Sequence, residues 1–129
     1  MGDKLKILVV DDEPETVEML KVALERGNYN VVAAYDGKEG IEKARSEKPA
    51  LIVLDIMMPR MNGVEACKIM KSDTELASIP VIMLTAMASQ IPTSSYSMHD
   101  GMEIEADDYI EKPVDPNLLL ARVNAMLEK

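Results

Sequence analysis

Short, strongly apolar runs that recur between amphipathic stretches constrain this chain more than any other feature. They are Leu5-Lys6-Ile7-Leu8-Val9-Val10, Val31 to Tyr35, Leu51-Ile52-Val53-Leu54 and Ile79 to Leu84, and a shorter one spans Asp108 to Glu111. The first and third are nearly continuous instead of alternating, the pattern of strands covered on both faces. Five such strands separated by helical segments predict a doubly wound α/β fold, a five-stranded parallel sheet with helices on both sides. The third strand, uniformly apolar, is expected at the centre.

The segments between the runs carry helix signals. Asp12 to Glu15 fits a capping box, with Asp12 as N-cap, Pro14 in the first turn and Glu15 three residues on. Val17, Leu20 and Leu24 then share a face, and Gly27 stops the helix. Asp36-Gly37 reads as a turn before a short helix anchored by Ile41 and Ala44 that ends before Pro49. After a loop from Pro59 to Gly63, Val64 to Lys71 is helical, with Cys67 on its apolar face as a core thiol. Asp115 caps a last helix in which Leu120, Val123 and Leu127 share a face. Ser89 to Gly101 alone has loop composition.

With 129 residues the expectation is a single domain over 1–129. The core should be aliphatic and filled by methionine, since there are 11 Met but no Trp and no Phe. A net charge of -9 argues against direct binding to nucleic acid or an anionic membrane, and leaves carboxylates for a hard cation. The single cysteine excludes a disulfide framework and a Cys-rich zinc site. No apolar run approaches a membrane span and no signal peptide precedes Leu5, so a cytoplasmic location is expected.

Parallel sheets bind ligands beyond the carboxyl ends of their strands. Here the first strand exits into Asp11-Asp12-Glu13, the third into Asp55, the fourth into Thr85-Ala86 and the fifth into Lys112-Pro113. With the first and third strands adjacent, carboxylates crowd one edge and repel unless a cation sits among them. Mg²⁺ is the expected cofactor, because it takes few carboxylates and completes its shell with water and phosphate oxygen. Thr85 and Lys112 offer a hydroxyl donor and a point charge for a phosphoryl group, and Asp55 offers a carboxylate nucleophile. Each element alone is ordinary cap or turn chemistry; their joint occurrence at four strand ends is not.

These motifs, together with Leu54-Asp55-Ile56-Met57-Met58-Pro59, Asn62-Gly63, Pro80 to Ala86 and Ala106-Asp107-Asp108-Tyr109-Ile110-Glu111-Lys112-Pro113, resemble the receiver domain of bacterial two-component response regulators from about Lys6 to Leu127. The resemblance implies a flavodoxin-like, CheY-like strand order of 2-1-3-4-5 and a phosphorelay role. Asp55 would accept a phosphoryl group from a sensor histidine kinase or phosphotransfer protein. Asp12, Asp55 and the Met57 backbone carbonyl would ligate Mg²⁺, with Asp11 acting through water. Thr85 and Lys112 would hold the phosphoryl oxygens, Tyr109 would turn inward as the switch aromatic, and the Lys112-Pro113 bond would be cis. A downstream protein or effector domain would read the helix after strand four, strand five and the last helix, a surface also open to homodimerisation on phosphorylation.

Two departures stand out. The stretch from Thr85 to Lys112 is several residues longer than is usual in that family, and Pro92, Gly101 and the Ser/Thr content disfavour a regular helix there, so an irregular or shortened fourth helix is expected over Ser89 to Met102. Met57 and Met87, each two residues beyond a key position, cannot orient water, which predicts a long-lived phosphoryl group. His99 and Tyr96 read as ordinary loop residues. A Mg²⁺-dependent phosphohydrolase would need a second acid where Met57 stands, and a flavin phosphate would be repelled by Asp11-Asp12-Glu13. A receiver that serves only as a protein-binding module would not need all five chemical positions filled.

Overall fold

The computed structural model describes residues 4–58, 61–85 and 106–127. Its elements run β1 (Lys6–Val10), α1 (Pro14–Arg26), β2 (Asn30–Ala34), α2 (Gly37–Glu47), β3 (Leu51–Asp55), α3 (Gly63–Ser72), β4 (Val81–Thr85), β5 (Asp108–Glu111) and α4 (Pro116–Leu127). All pairings are parallel, in the order β2-β1-β3-β4-β5. The expected sheet is therefore the observed one, with β3 at its centre and buried throughout.

Strand periodicity divides the core in two. Leu8, Val10, Ile52, Leu54, Val81 and Met83 face Ala44, Ala66, Cys67 and Met70 of α2 and α3. Ile7, Val9, Leu51, Val53, Ile82 and Leu84 face Val17, Leu20 and Leu24 of α1 and Leu119 and Val123 of α4. Both faces are covered, which is why β1, β3 and β4 read as continuous apolar runs.

Several boundaries differ from the sequence reading. The N-cap of α1 is Glu13, not Asp12, and no side chain caps it. The Glu13 N–H instead donates to Asp11 Oδ1 at 2.9 Å, so the acidic run turns toward the sheet edge before the helix begins. Gly27 ends α1, but Asn28 takes the left-handed conformation, with φ 73°. Strand β4 begins at Val81 and not at Ile79, because the Ile79 N–H folds back to the Leu76 carbonyl at 3.0 Å. Tyr35 falls outside β2; its N–H donates to Glu39 Oε1 at 2.8 Å. In α4, Leu119 is the fully buried partner of Val123, while Leu120 and Leu127 are partly buried. Asp115 does serve the start of that helix, accepting from the Asn117 N–H at 2.9 Å.

One brace fixes the start of β5. Lys71 Nζ donates to the Ala77 and Ile79 carbonyls at 3.2 and 2.8 Å and to Asp107 Oδ2 at 3.2 Å. The same Asp107 oxygen accepts the Val81 N–H at 2.8 Å. The expected irregular helix over Ser89 to Met102 lies outside the described residues, as do Met87, Tyr96 and His99.

Candidate phosphoacceptor pocket

The pocket is assembled by register. Val10 pairs with Leu54, so Asp11 and Asp55 leave neighbouring strands side by side. Asp55 pairs with Leu84, and Thr85 with Glu111, which brings Thr85 and Lys112 to the same edge. The Lys112 N–H donates to the Thr85 carbonyl at 2.6 Å, and the Lys112-Pro113 bond is cis, as expected. Asp11, Asp55 and Thr85 are buried, whereas Asp12 and Glu13 are exposed.

Lys112 is the shared counter-charge. Its Nζ lies 3.1 Å from Asp11 Oδ2, 3.3 Å from Asp55 Oδ2 and 3.8 Å from Glu13 Oε1. The Met57 N–H donates to Asp55 Oδ1 at 3.2 Å, while the Met57 side chain stands out in solvent at the rim. Asp12, Glu13, Asp55, Met57 and Lys112 line a cavity of about 300 Å³. A second hollow of about 400 Å³, more apolar, adjoins it along Glu13 and Lys112 and is otherwise lined by Thr16, Met19, Pro113 and Val114.

Electrostatics mark Asp55 as the poised group. Burial pushes its carboxyl up to about 6, the Asp11 charge adds to the rise, and Lys112 opposes it. Burial also disfavours charge on Lys112, but Asp55 and Asp11 outweigh it and hold the ammonium above its ordinary pKa. A carboxyl with its folded pKa raised from 3.8 to about 6 binds more protons folded than unfolded. Its contribution to stability is therefore full below 3.8 and is lost as pH rises through about 6. In EDTA, melts between pH 4.5 and 6.5 should show this loss relative to Asp55→Asn, amounting to about 1 kcal/mol after discounting for solvent screening. Identical pH profiles for the two chains would contradict the raised pKa.

The residues suit a hard cation. One oxygen from each of Asp11, Asp12 and Asp55 lies within 4.8 Å of the others. Asp11 Oδ2 is fully buried and faces the Lys112 ammonium at 3.1 Å. A buried carboxylate oxygen whose near partner is one shared ammonium, beside two further carboxylates, suits a divalent metal with oxygen preference.

The sequence pattern of the response regulator receiver domain matches residues 7–124. The chain belongs to that family. The receiver is 44% identical over 124 residues to the alkaline phosphatase synthesis transcriptional regulatory protein PhoP of Bacillus subtilis, covering 96% of this chain and 49% of that protein. It also resembles the solved chemotaxis protein CheY4 of Vibrio cholerae, with 30% identity, a TM-score of 0.83, and 96% and 99% of the two chains covered. The BeF3-activated DrrB receiver domain is similar at 32% identity and a TM-score of 0.77, over 98% and 99% of the chains. The receiver spans about half the length of the curated relatives it matches. Membership makes it a phosphoacceptor switch of two-component signalling, not an enzyme, with Asp11, Asp12 and Asp55 as its acidic pocket.

Tyr109 stands apart from the pocket. It lies on β5, pairs with Met83 of β4, is half-buried, and packs on the α3 side of the sheet. Burial pushes its hydroxyl up to about 12, and Cys67 adds to the rise. Two participants were invisible as such in the sequence. Glu13 read as one of the acids leaving the first strand, with no role of its own, yet its carboxylate reaches Lys112. Gly63 read as loop, yet a Cβ there would sit 2.3 Å from the Asp55 carbonyl oxygen. The Asn62-Gly63 pair, eight residues after the strand-end acid, was the available signal for the second.

Proposed function

We propose that Asp55 is the phosphoacceptor and that a histidine kinase, or a phosphotransfer protein charged by one, is the donor. The observation that carries this is the pairing of a buried, raised-pKa carboxylate with the shared Lys112 ammonium at the carboxyl end of the central strand. Asp55 attacks phosphorus, a phosphorus–oxygen bond forms, and the phosphorus–nitrogen bond of the donor breaks with its electron pair left on the imidazole. Mg²⁺, held by Asp12, Asp55 and the Met57 carbonyl with Asp11 acting through water, would neutralise charge on the phosphoryl oxygens when bound. Lys112, already within 3.3 Å of Asp55, holds one phosphoryl oxygen, and the Thr85 hydroxyl donates to another.

The switch then follows from charge. A phosphoryl group adds an anion beside Lys112 and Thr85 and draws both toward Asp55. Because Tyr109 lies on the strand that ends in Lys112, it is the aromatic placed to answer that movement. The downstream reader is a protein or effector domain. The pocket's surplus of carboxylate argues against direct contact with nucleic acid. No described helix is long and apolar enough to cross a membrane, and the setting we infer is the cytoplasm.

The test is incubation with acetyl phosphate, with and without Mg²⁺, read by intact mass. The wild-type chain should gain one phosphoryl group only with Mg²⁺; no gain sinks the assignment. A second measurement addresses lifetime. The exposed Met57 side chain at the rim offers no donor or acceptor suited to aligning water. Met57→Asn should shorten the phosphoryl half-life by about three- to tenfold, a small part of what positioned proton transfer can give. An unchanged half-life would show that this rim residue does not govern access of water.

A further inference from the structure

Glu13 lies outside the acidic trio suited to a metal, yet it takes part in the charge contacts of the pocket. Its main chain is tied inward, because its N–H donates to Asp11 Oδ1 at 2.9 Å. Its side chain points outward, 63% exposed, and Oε1 performs two tasks. That oxygen accepts from Thr16 Oγ1 at 3.1 Å and faces Lys112 Nζ at 3.8 Å. Glu13 and Lys112 together form the wall between the acidic cavity and the apolar hollow beside it. The ammonium is thus divided between two inner carboxylates, Asp11 and Asp55, and one outer carboxylate that a hydroxyl on α1 keeps in place.

We propose that Glu13 is a positioning residue that holds Lys112 toward the outer wall and so lowers the basal rate at which Asp55 takes phosphoryl groups from small free donors. The inference rests on Asp55 as acceptor and Lys112 as the phosphoryl-holding cation. An ammonium engaged by a third carboxylate must give up that contact before it closes on an incoming phosphoryl oxygen. Partly exposed ion pairs are weak, so the restraint is a modest one.

Glu13→Gln and Thr16→Val test this against wild type with two donors, acetyl phosphate and phosphoramidate, in Mg²⁺. In each reaction Asp55 oxygen replaces the leaving group on phosphorus. Acetate departs with the bonding pair in one, and ammonia departs after taking a solvent proton in the other. Glu13→Gln should raise the labelling rate about two- to fivefold, the range expected for loss of one exposed pair, and by the same factor for both donors. Thr16→Val should raise it in the same direction by less, because it loosens the carboxylate without removing it. Thermal melts establish that the variants are folded. A gain confined to acetyl phosphate, the more highly charged donor, would mean that Glu13 acts by direct repulsion and would overturn the positioning role. Equal rates in wild type and Glu13→Gln would overturn it as well. If neither wild type nor variants label, the assignment of Asp55 itself fails, a result distinct from labelling at equal rates.

Discussion

Asp55→Asn should take up no phosphoryl group from acetyl phosphate and Mg²⁺ under conditions in which the wild-type chain is labelled to completion, as read by intact mass. The substitution is nearly isosteric and replaces a carboxylate nucleophile by an amide oxygen of negligible nucleophilicity. Neither neighbouring acid can take over. Asp11 is fully buried, its Oδ1 accepts the Glu13 N–H and its Oδ2 faces Lys112, so an incoming phosphorus has no approach to it. Asp12 is exposed, but it lacks the Lys112 contact that Asp55 has. The neutral side chain also removes one of the crowded buried charges, so loss of labelling should come with a fold at least as stable in EDTA as wild type. Residual labelling in Asp55→Asn would move the acceptor elsewhere and refute the assignment.

The second large effect is structural. Gly63→Ala should destabilise the receiver by about 2–3 kcal/mol, the upper part of the range for overpacking, and lower Tm by roughly 6–12 °C. A Cβ at Gly63 would lie 2.3 Å from the Asp55 carbonyl oxygen, 2.8 Å from Ile56 Cα and 2.9 Å from the Asp55 carbonyl carbon. All three are main-chain atoms, so no rotamer change relieves the overlap, and the Gly63 N–H to Ile56 carbonyl bond at 2.9 Å keeps the segments together. The helix propensity that alanine adds at the start of α3, at most about 1 kcal/mol, is smaller than the clash. The same displacement moves Asp55, the proposed acceptor, so labelling should slow in parallel. Gly27→Ala is the contrast. Its Cβ would meet Leu120 Cδ1 at 2.3 Å, a side-chain tip that can turn aside, and its cost should be well below that of Gly63→Ala. Equal melting temperatures for wild type and Gly63→Ala in calorimetry would refute the clash argument.

The fold was legible because burial on both faces leaves a simple trace. Ile7 to Val10 and Leu51 to Leu54 are buried at every position, as a parallel strand covered on both faces requires. The helix termini were less legible. Asp11, Asp12 and Glu13 are each good N-cap residues by type, and the sequence pattern favoured Asp12. In the fold, Asp11 turns its carboxylate back to the Glu13 N–H and toward Lys112, which shifts the cap by one and leaves Asp12 exposed at the pocket mouth. Local propensity lost to the chemistry of the site, the kind of conflict expected at functional positions. Ile79 illustrates a different cause. Its β-branched side chain suits a strand, but its carbonyl is held by Lys71, a contact between residues eight apart that no short window reveals.

The pocket residues were legible as a set because they sit at strand ends. Their mutual distances were not, since these depend on the register between β3 and β4 and between β4 and β5. The parts played by Glu13 and Gly63 escaped the sequence for different reasons. One acts through a cation from the far end of the chain, and the other through the absence of an atom.

The main-chain bond from Lys112 to the Thr85 carbonyl has a mechanical meaning. The two groups assigned to grip the phosphoryl oxygens are fastened to each other behind their side chains, so a main-chain shift at one is passed to the other. Tension applied at the pocket therefore loads two strand tips as a single lever, and the force leaves the site along β4 and β5 together. A receiver built this way reports one event, not two, and its answer should be closer to a click than to a dial.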